Sequence, residues 1–193
     1  MKSGLIRLSL FALVCLFAHN SAHAQLPTPA GAMISPNQPI EGGKAPHMEA
    51  KKIKDASGEQ VYVIIFHRDD DALSGLTDFV IQNKIRNGHF TAIGAAKNAI
   101  LGWLDLGEKA YHSILVTQQS EVLSLIGDVA VYKGKPTIHA HAVLSGPSGS
   151  TIGGHVWRLV VDPTLEVFLT VDAPELIKKP DNASGLNLID AGH

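Results

Sequence analysis

The chain has 193 residues, 45% of them hydrophobic and 18% charged, with a formal net charge of −2. That length suits one domain with a sizeable core, and the composition excludes a low-complexity or highly charged disordered chain. The single cysteine, Cys15, lies in a segment expected to be removed, which excludes a disulfide framework and thiol chemistry from the remainder.

Residues 1–24 read as a secretory signal peptide. Lys2 and Arg7 supply the positive charge, Leu8 to Ala18 the apolar core, and Ala22-His23-Ala24 a small-x-small cleavage site before Gln25. The apolar run is too short for a spanning helix of about 20 residues, so no membrane span is expected after cleavage. The expected location is periplasmic or secreted. Cleavage removes two positive charges and leaves a net charge of −4. A mildly acidic, exported chain lacks the electrostatic footprint of a nucleic-acid binder, and nucleic acid is not an expected partner.

Residues 25–55 are rich in Pro, Gly, Asn and Ala without an apolar period, and read as a flexible leader. Val61 to Phe66 is a short β-rich run, expected as a buried strand. Asp69, Asp70 and Asp71 follow it. They suit the N-cap of the next helix, with a hard-cation site as the alternative. Leu73, Leu76, Val80 and Lys84 give helical spacing to about Arg86, before an Asn87-Gly88 stop. From His89 the pattern is strand after strand: His89 to Ala95, Ala99 to Leu106, Tyr111 to Thr117, and Glu121 to Tyr132 with a break near Gly127-Asp128. An Asp162-Pro163 turn then leads into Leu165 to Val171, and the tail from Ala173 lies over the surface with an edge strand near Leu186–Ile189. One early helix and six or more strands with few crossover-length loops give an α+β fold. It is expected as a mostly antiparallel sheet with one main helix in a single domain over 56–190.

Thr137 to Ser145 and Thr151 to Val161 flank a Gly/Pro/Ser turn and read as a hairpin. His139 and His141 share one face of their strand. Folding about Pro147 sets His139 opposite His155 and Gly153 opposite His141, so three imidazoles converge beside a segment without bulky side chains. Three neutral imidazoles suit a divalent transition metal, zinc first, with a position left open for water or substrate. Because neutral imidazole is required, occupancy is expected to fall below about pH 6. The alternative is three structural histidines on a half-polar strand face.

Gly88-His-Phe-Thr-Ala-Ile-Gly-Ala95, Leu101-Gly-Trp-Leu-Asp105, Glu121-Val-Leu-Ser-Leu-Ile-Gly127, Gly134-Lys-Pro-Thr-Ile-His-Ala-His141, Gly153-Gly-His155 and Leu165-Glu-Val167 occur in this order. Together they resemble the plants-and-prokaryotes-conserved (PPC) domain, from about Glu59 to Leu188. The resemblance implies a mostly antiparallel sheet, assembly as a homotrimer, and metal ions at the histidines. Plant members of that family carry AT-hooks; no Arg-Gly-Arg-Pro motif occurs here. The His-x-His and Gly-Gly-His arrangement also resembles the zinc site of alpha-acetolactate decarboxylase, which implies His139, His141 and His155 as ligands.

A water or carbonyl on such a metal needs a general acid or base within reach. Glu166 and Glu121 are the catalytic candidates, because each sits inside an apolar strand; the alternative is that each faces solvent on an alternating strand. The expected function is a metal-dependent lyase or hydrolase acting on a small carbonyl compound. The alternatives are a non-enzymatic module binding a small ligand or partner, and a DNA-binding protein as the family's naming suggests.

Overall fold

Alternation along the sequence becomes alternation of faces in the computed structural model, which describes residues 29–192. Strand β3 (Glu59–His67) buries Tyr62, Ile64 and Phe66 and leaves the residues between them partly exposed. It follows two earlier strands, β1 (Met33–Ile34) and β2 (Glu49–Ala56). Helix α1 (Ala72–Gln82) comes next, then β4 (Gly88–Asp105), β5 (Ala110–Val116), β6 (Ser120–Tyr132), β7 (Lys135–Ser145) and β8 (Thr151–Asp172). A short antiparallel pair, β9 (Ile177–Pro180) and β10 (Asn187–Asp190), ends the chain. The sheet is antiparallel throughout, except for one parallel contact between Val131 of β6 and Ile177 of β9.

The strands run in the order β1-β5-β4-β6-β7-β8-β3-β2, and β4 also pairs with β8. The pairings β4–β6, β6–β7, β7–β8 and β8–β4 therefore form a closed circuit. Inside it, Phe90, Leu125, Leu144, Leu159, Leu165 and Leu169 are fully or almost fully buried. Helix α1 adds Leu73, Leu76, Phe79 and Val80 to the same core. Burying side chains of that size contributes roughly 1.5–3 kcal/mol each.

Two long strands replace shorter expected ones. β4 runs unbroken over 18 residues where two strands were expected. Its register shifts between Gly94 and Ala96 and between Ala96 and Asn98, so small and polar residues that suggest strand ends are bulges. They let the first half of β4 pair with β6 and the second half with β5. β8 continues through Asp162-Pro163 rather than turning there. β6 likewise runs through Gly127-Asp128 without a break.

The helix stops at Gln82, short of the expected Arg86, because Lys84 adopts a left-handed backbone with φ 54°. Its N-cap is Asp71, which accepts from Leu73 N and Ser74 N at 3.2 and 3.4 Å. The other two aspartates serve elsewhere. Asp70 is fully buried and accepts from His47 N and His67 N, both at 3.0 Å, and Asp69 pairs with Lys97 at 2.7 Å.

The segment expected as a flexible leader holds two strands in its described part. β1 pairs with β5 and β2 with β3. Gly43 N donates to Asp78 at 2.6 Å, and Lys44 N donates to Ser74 Oγ at 3.0 Å. Backbone hydrogen bonds anchor this segment, and such bonds need no apolar period in the sequence. The expected signal peptide, residues 1–24, lies outside the described residues.

Candidate metal centre

β7 and β8 bring three histidines to one point. His141 is directly opposite His155, and Val143 is opposite Gly153. The hairpin is therefore centred on Ser148 rather than Pro147, and His139 is not the residue facing His155. Moving the centre by one residue slides the pairing by two positions, which keeps every side chain on its face. Convergence survives the correction.

His139 Nε2 and His141 Nε2 are 3.2 Å apart. The edge of a tetrahedron with zinc–nitrogen bonds of 2.0–2.1 Å is about 3.3 Å, so this pair already has the spacing of two ligands. One nitrogen from each of His139, His141 and His155 can be chosen so that all lie within 4.8 Å of one another. His139–His155 ring centroids are 5.2 Å apart and those of His141–His155 5.6 Å.

Asp128 stands behind His139. Its Oδ2 is 3.3 Å from His139 Nδ1, and Lys178 Nζ lies 2.9 Å from its Oδ1. Burial pushes the Asp128 carboxyl up, but the bonds from His139 and Lys178 outweigh burial and hold it below its ordinary value. An ionised Asp128 places the His139 proton on Nδ1 and leaves the Nε2 lone pair for a ligand. Carboxylate–histidine pairs behind metals act in this way.

His155 sits in an aromatic sleeve. It stacks on Tyr111 at 4.7 Å and meets the edge of Trp157 at 4.8 Å. Burial, then the neighbouring His139 and His141, lower its pKa to about 3. His141 is lowered too, chiefly by burial. Both shifts favour the neutral imidazole that metal ligation requires. His155 Nδ1 is buried without a hydrogen-bond partner among the described residues. A polar atom orphaned this way costs about 1–3 kcal/mol, and a bound group in the cluster would offset that cost. Donor type, spacing, a carboxylate behind one ligand and an unsatisfied nitrogen all fit a divalent transition metal.

Close backbone approach explains the glycines. A Cβ on Gly154 would lie 2.6 Å from the Gly102 carbonyl oxygen of β4. Only glycine lets β8 pass between β4 and β7 while carrying His155.

Glu121 and Glu166 are not part of this centre. Both are exposed on their strands and border a shallow depression with Ile93 and Leu123. Glu121 is seven residues from Asp128 along β6, roughly 23 Å at about 3.3 Å per residue. The solvent-facing alternative describes them, because each alternates with buried neighbours: Val122 beside Glu121, and Leu165 and Val167 beside Glu166. The structure instead brings Asp128, Lys178, Tyr111 and Trp157 to the histidines. A signal for Asp128 exists in the sequence. Lys133-Gly134 forms a two-residue turn with φ 48° and 79°, and counting back from it pairs Asp128 with His139.

The sequence profile of the Plants and Prokaryotes Conserved (PCC) domain matches residues 53–171. The chain belongs to this domain family. Several solved structures share the PCC-domain fold. A plant- and prokaryote-conserved (PPC) protein from Pyrococcus horikoshii is 25% identical with a TM-score of 0.65, over 75% of this chain and 96% of its own. A metal-containing protein from Archaeoglobus fulgidus is 27% identical with a TM-score of 0.64, over 72% and 99%. A candidate DNA-binding protein from Ralstonia eutropha JMP134 is 26% identical with a TM-score of 0.66, over 74% and 96%. No curated protein matches the chain. The histidines and Asp128 fall inside the PCC match; Lys178 falls outside it.

Proposed function

We propose that this PCC-domain protein is exported and holds a divalent transition metal, zinc first, at His139, His141 and His155, where it acts as a lyase or hydrolase on a small carbonyl compound. The observation that carries the reading is the set of three imidazole nitrogens within 4.8 Å, with Asp128 orienting His139. The metal-containing relative from Archaeoglobus fulgidus supports it. A metal there supplies Lewis acidity, polarising a carbonyl oxygen and lowering the pKa of a bound water toward about 7. Asp128 holds the His139 proton at Nδ1, while Tyr111 and Trp157 exclude water from one side of His155. Export rests on the signal-like residues 1–24. A homotrimer is part of the proposal: the family resemblance supports it, and so do the exposed apolar side chains Ile93, Leu123, Ile126 and Phe168, which favour burial by another copy.

Elemental analysis of the purified protein tests the centre. About one metal per chain is expected, and loss of metal in a His139→Ala, His141→Ala double variant. A metal-free wild type, or a variant that keeps its metal, refutes it. Metal-dependent binding without turnover on small carbonyl compounds would favour a non-enzymatic module. A second reading, DNA binding, draws on the description of the relative from Ralstonia eutropha as a candidate DNA-binding protein. DNA affinity that persists at physiological salt would support it, since weak phosphate attraction is lost there.

A further inference from the structure

A cleft of about 310 Å³ opens beside the histidines. His139 and His155 form its floor with Asp128, and Tyr111 and Trp157 one side. More of its wall comes from segments near the two ends of the described chain: Pro36, Asn37 and Ile40 between β1 and β2, and Leu186 to Ile189 leading into β10. Asn187 Nδ2 donates to Asn37 Oδ1 at 2.6 Å and ties these segments together. Lys178 lines the same cleft from β9 and is only 8% exposed. All of these wall residues, and Lys178, lie outside the residues 53–171 matched by the family profile. The three histidines lie within the residues matched by the family profile, whereas this part of the wall lies outside them.

Asp128 and Lys178 offset each other in this cleft. With a divalent ion bound, three neutral imidazoles would add nothing to its charge, and the cleft would carry about +2. Lys178 has three N–H donors, and Asp128 Oδ1 takes at most one of them. The rest of the lining is mostly apolar and includes Ile40, Leu186 and Leu188, with Leu186 packed against the Tyr111 cluster beside Trp157. An anion with an apolar body matches both features, and the volume is at the small end of ligand cavities.

We propose that the cleft binds a small carboxylate bearing an apolar or aromatic body, with its carboxylate beside the histidine centre and Lys178 and its body against the wall built by the chain's terminal segments. This inference rests on the metal reading. A charge-assisted contact of about 1.5–3 kcal/mol makes Lys178 worth roughly ten- to a hundredfold in affinity. Burial of a phenyl group is worth a similar factor.

The test uses the full zinc-loaded protein and calorimetric titration with 3-phenylpropionate, acetate, 3-phenylpropan-1-ol and inorganic phosphate, with zinc content measured on each sample. The expected result is that 3-phenylpropionate binds at least about tenfold more tightly than the other three. Compared at equal zinc loading, Lys178→Met should lose about tenfold or more for 3-phenylpropionate, and Lys178→Arg should recover most of it. Leu188→Ser, at a partly exposed position, should weaken 3-phenylpropionate and leave acetate unchanged. Equal affinity for acetate and 3-phenylpropionate, tighter binding of phosphate, or full affinity in zinc-loaded Lys178→Met overturns the proposal while the metal reading stands. A wild type that takes up no zinc overturns both, and the zinc measurement separates the two failures.

Discussion

Acidification of the metal-free protein should destabilise it through His155. Burial and two neighbouring histidines hold its folded pKa at about 3, against an ordinary value of 6.5. Below pH 6.5 the unfolded chain takes up a proton that folded His155 refuses. Stability is therefore fully present above pH 6.5 and is lost as pH falls toward about 3. Each unit in that window costs at most about 1.4 kcal/mol, so the step from pH 6.5 to pH 5 costs about 2 kcal/mol. Solvent screening at the partly exposed edge of the ring makes that an upper figure. The assay is urea unfolding in the presence of chelator at pH 7.5 and pH 5.0, at fixed chain concentration, on the wild type and on His155→Phe. Phenylalanine keeps an aromatic ring against Tyr111, which stacks on His155 at 4.7 Å, and removes the titration. The wild type should lose about 2 kcal/mol more than the variant between the two pH values. Equal losses in the two proteins would refute burial of a neutral imidazole as the cause.

Zinc at a hundredfold excess over its dissociation constant should stabilise the wild type by about 2.7 kcal/mol, and should do nothing for the His139→Ala, His141→Ala variant; thermal melts with and without metal check this. Asp128→Asn should weaken metal affinity by roughly 10–100-fold, since the amide no longer fixes the His139 proton at Nδ1; competition with a chromogenic chelator measures it. Gly154→Ala should cost about 1–3 kcal/mol, because its Cβ would meet the Gly102 oxygen at 2.6 Å; urea midpoints decide, and an unchanged midpoint would mean that β4 and β8 yield freely. Acid should release metal at a lower pH than for three solvent-exposed histidines, because His141 and His155 are both lowered; a pH titration of bound zinc tests it.

Much of the site was legible because a strand's side-chain period is two. His139, His141 and His155 share a face for any pairing whose centre falls on a residue, so an error of one residue in the turn centre changed partners without scattering the ligands. Strand breaks were less legible. Asn98 and Pro163 resemble ends, yet each sits in a continuous strand near a register shift between β4 and β8, and Gly127 sits in a regular ladder between Phe90 and Ala140. Local composition reports that a residue weakens a ladder, but whether the chain turns there depends on neighbours far away in sequence.

Glu121 and Glu166 show the same limit from the other side. An acidic residue inside an apolar run looks like an ionisable group held for a purpose, but both are exposed between buried neighbours. The charges at the centre, half-buried Asp128 and buried Lys178, looked ordinary by comparison. Asp128 stood beside a glycine in an apparent break, and Lys178 stood in a tail with two prolines nearby. Both are placed by long-range pairings: Asp128 opposite His139, and β9 brought against β6 by the Val131↔Ile177 contact. The cleft wall was hidden for the same reason. Asn37 and Asn187 are 150 residues apart and meet only because β1 joins β5 and the β9–β10 pair joins β6, so neither segment carries a local pattern that points to the histidines. In this protein the candidate metal ligands obey the two-residue period of a strand, while the groups around them are assembled by the closure of the whole sheet.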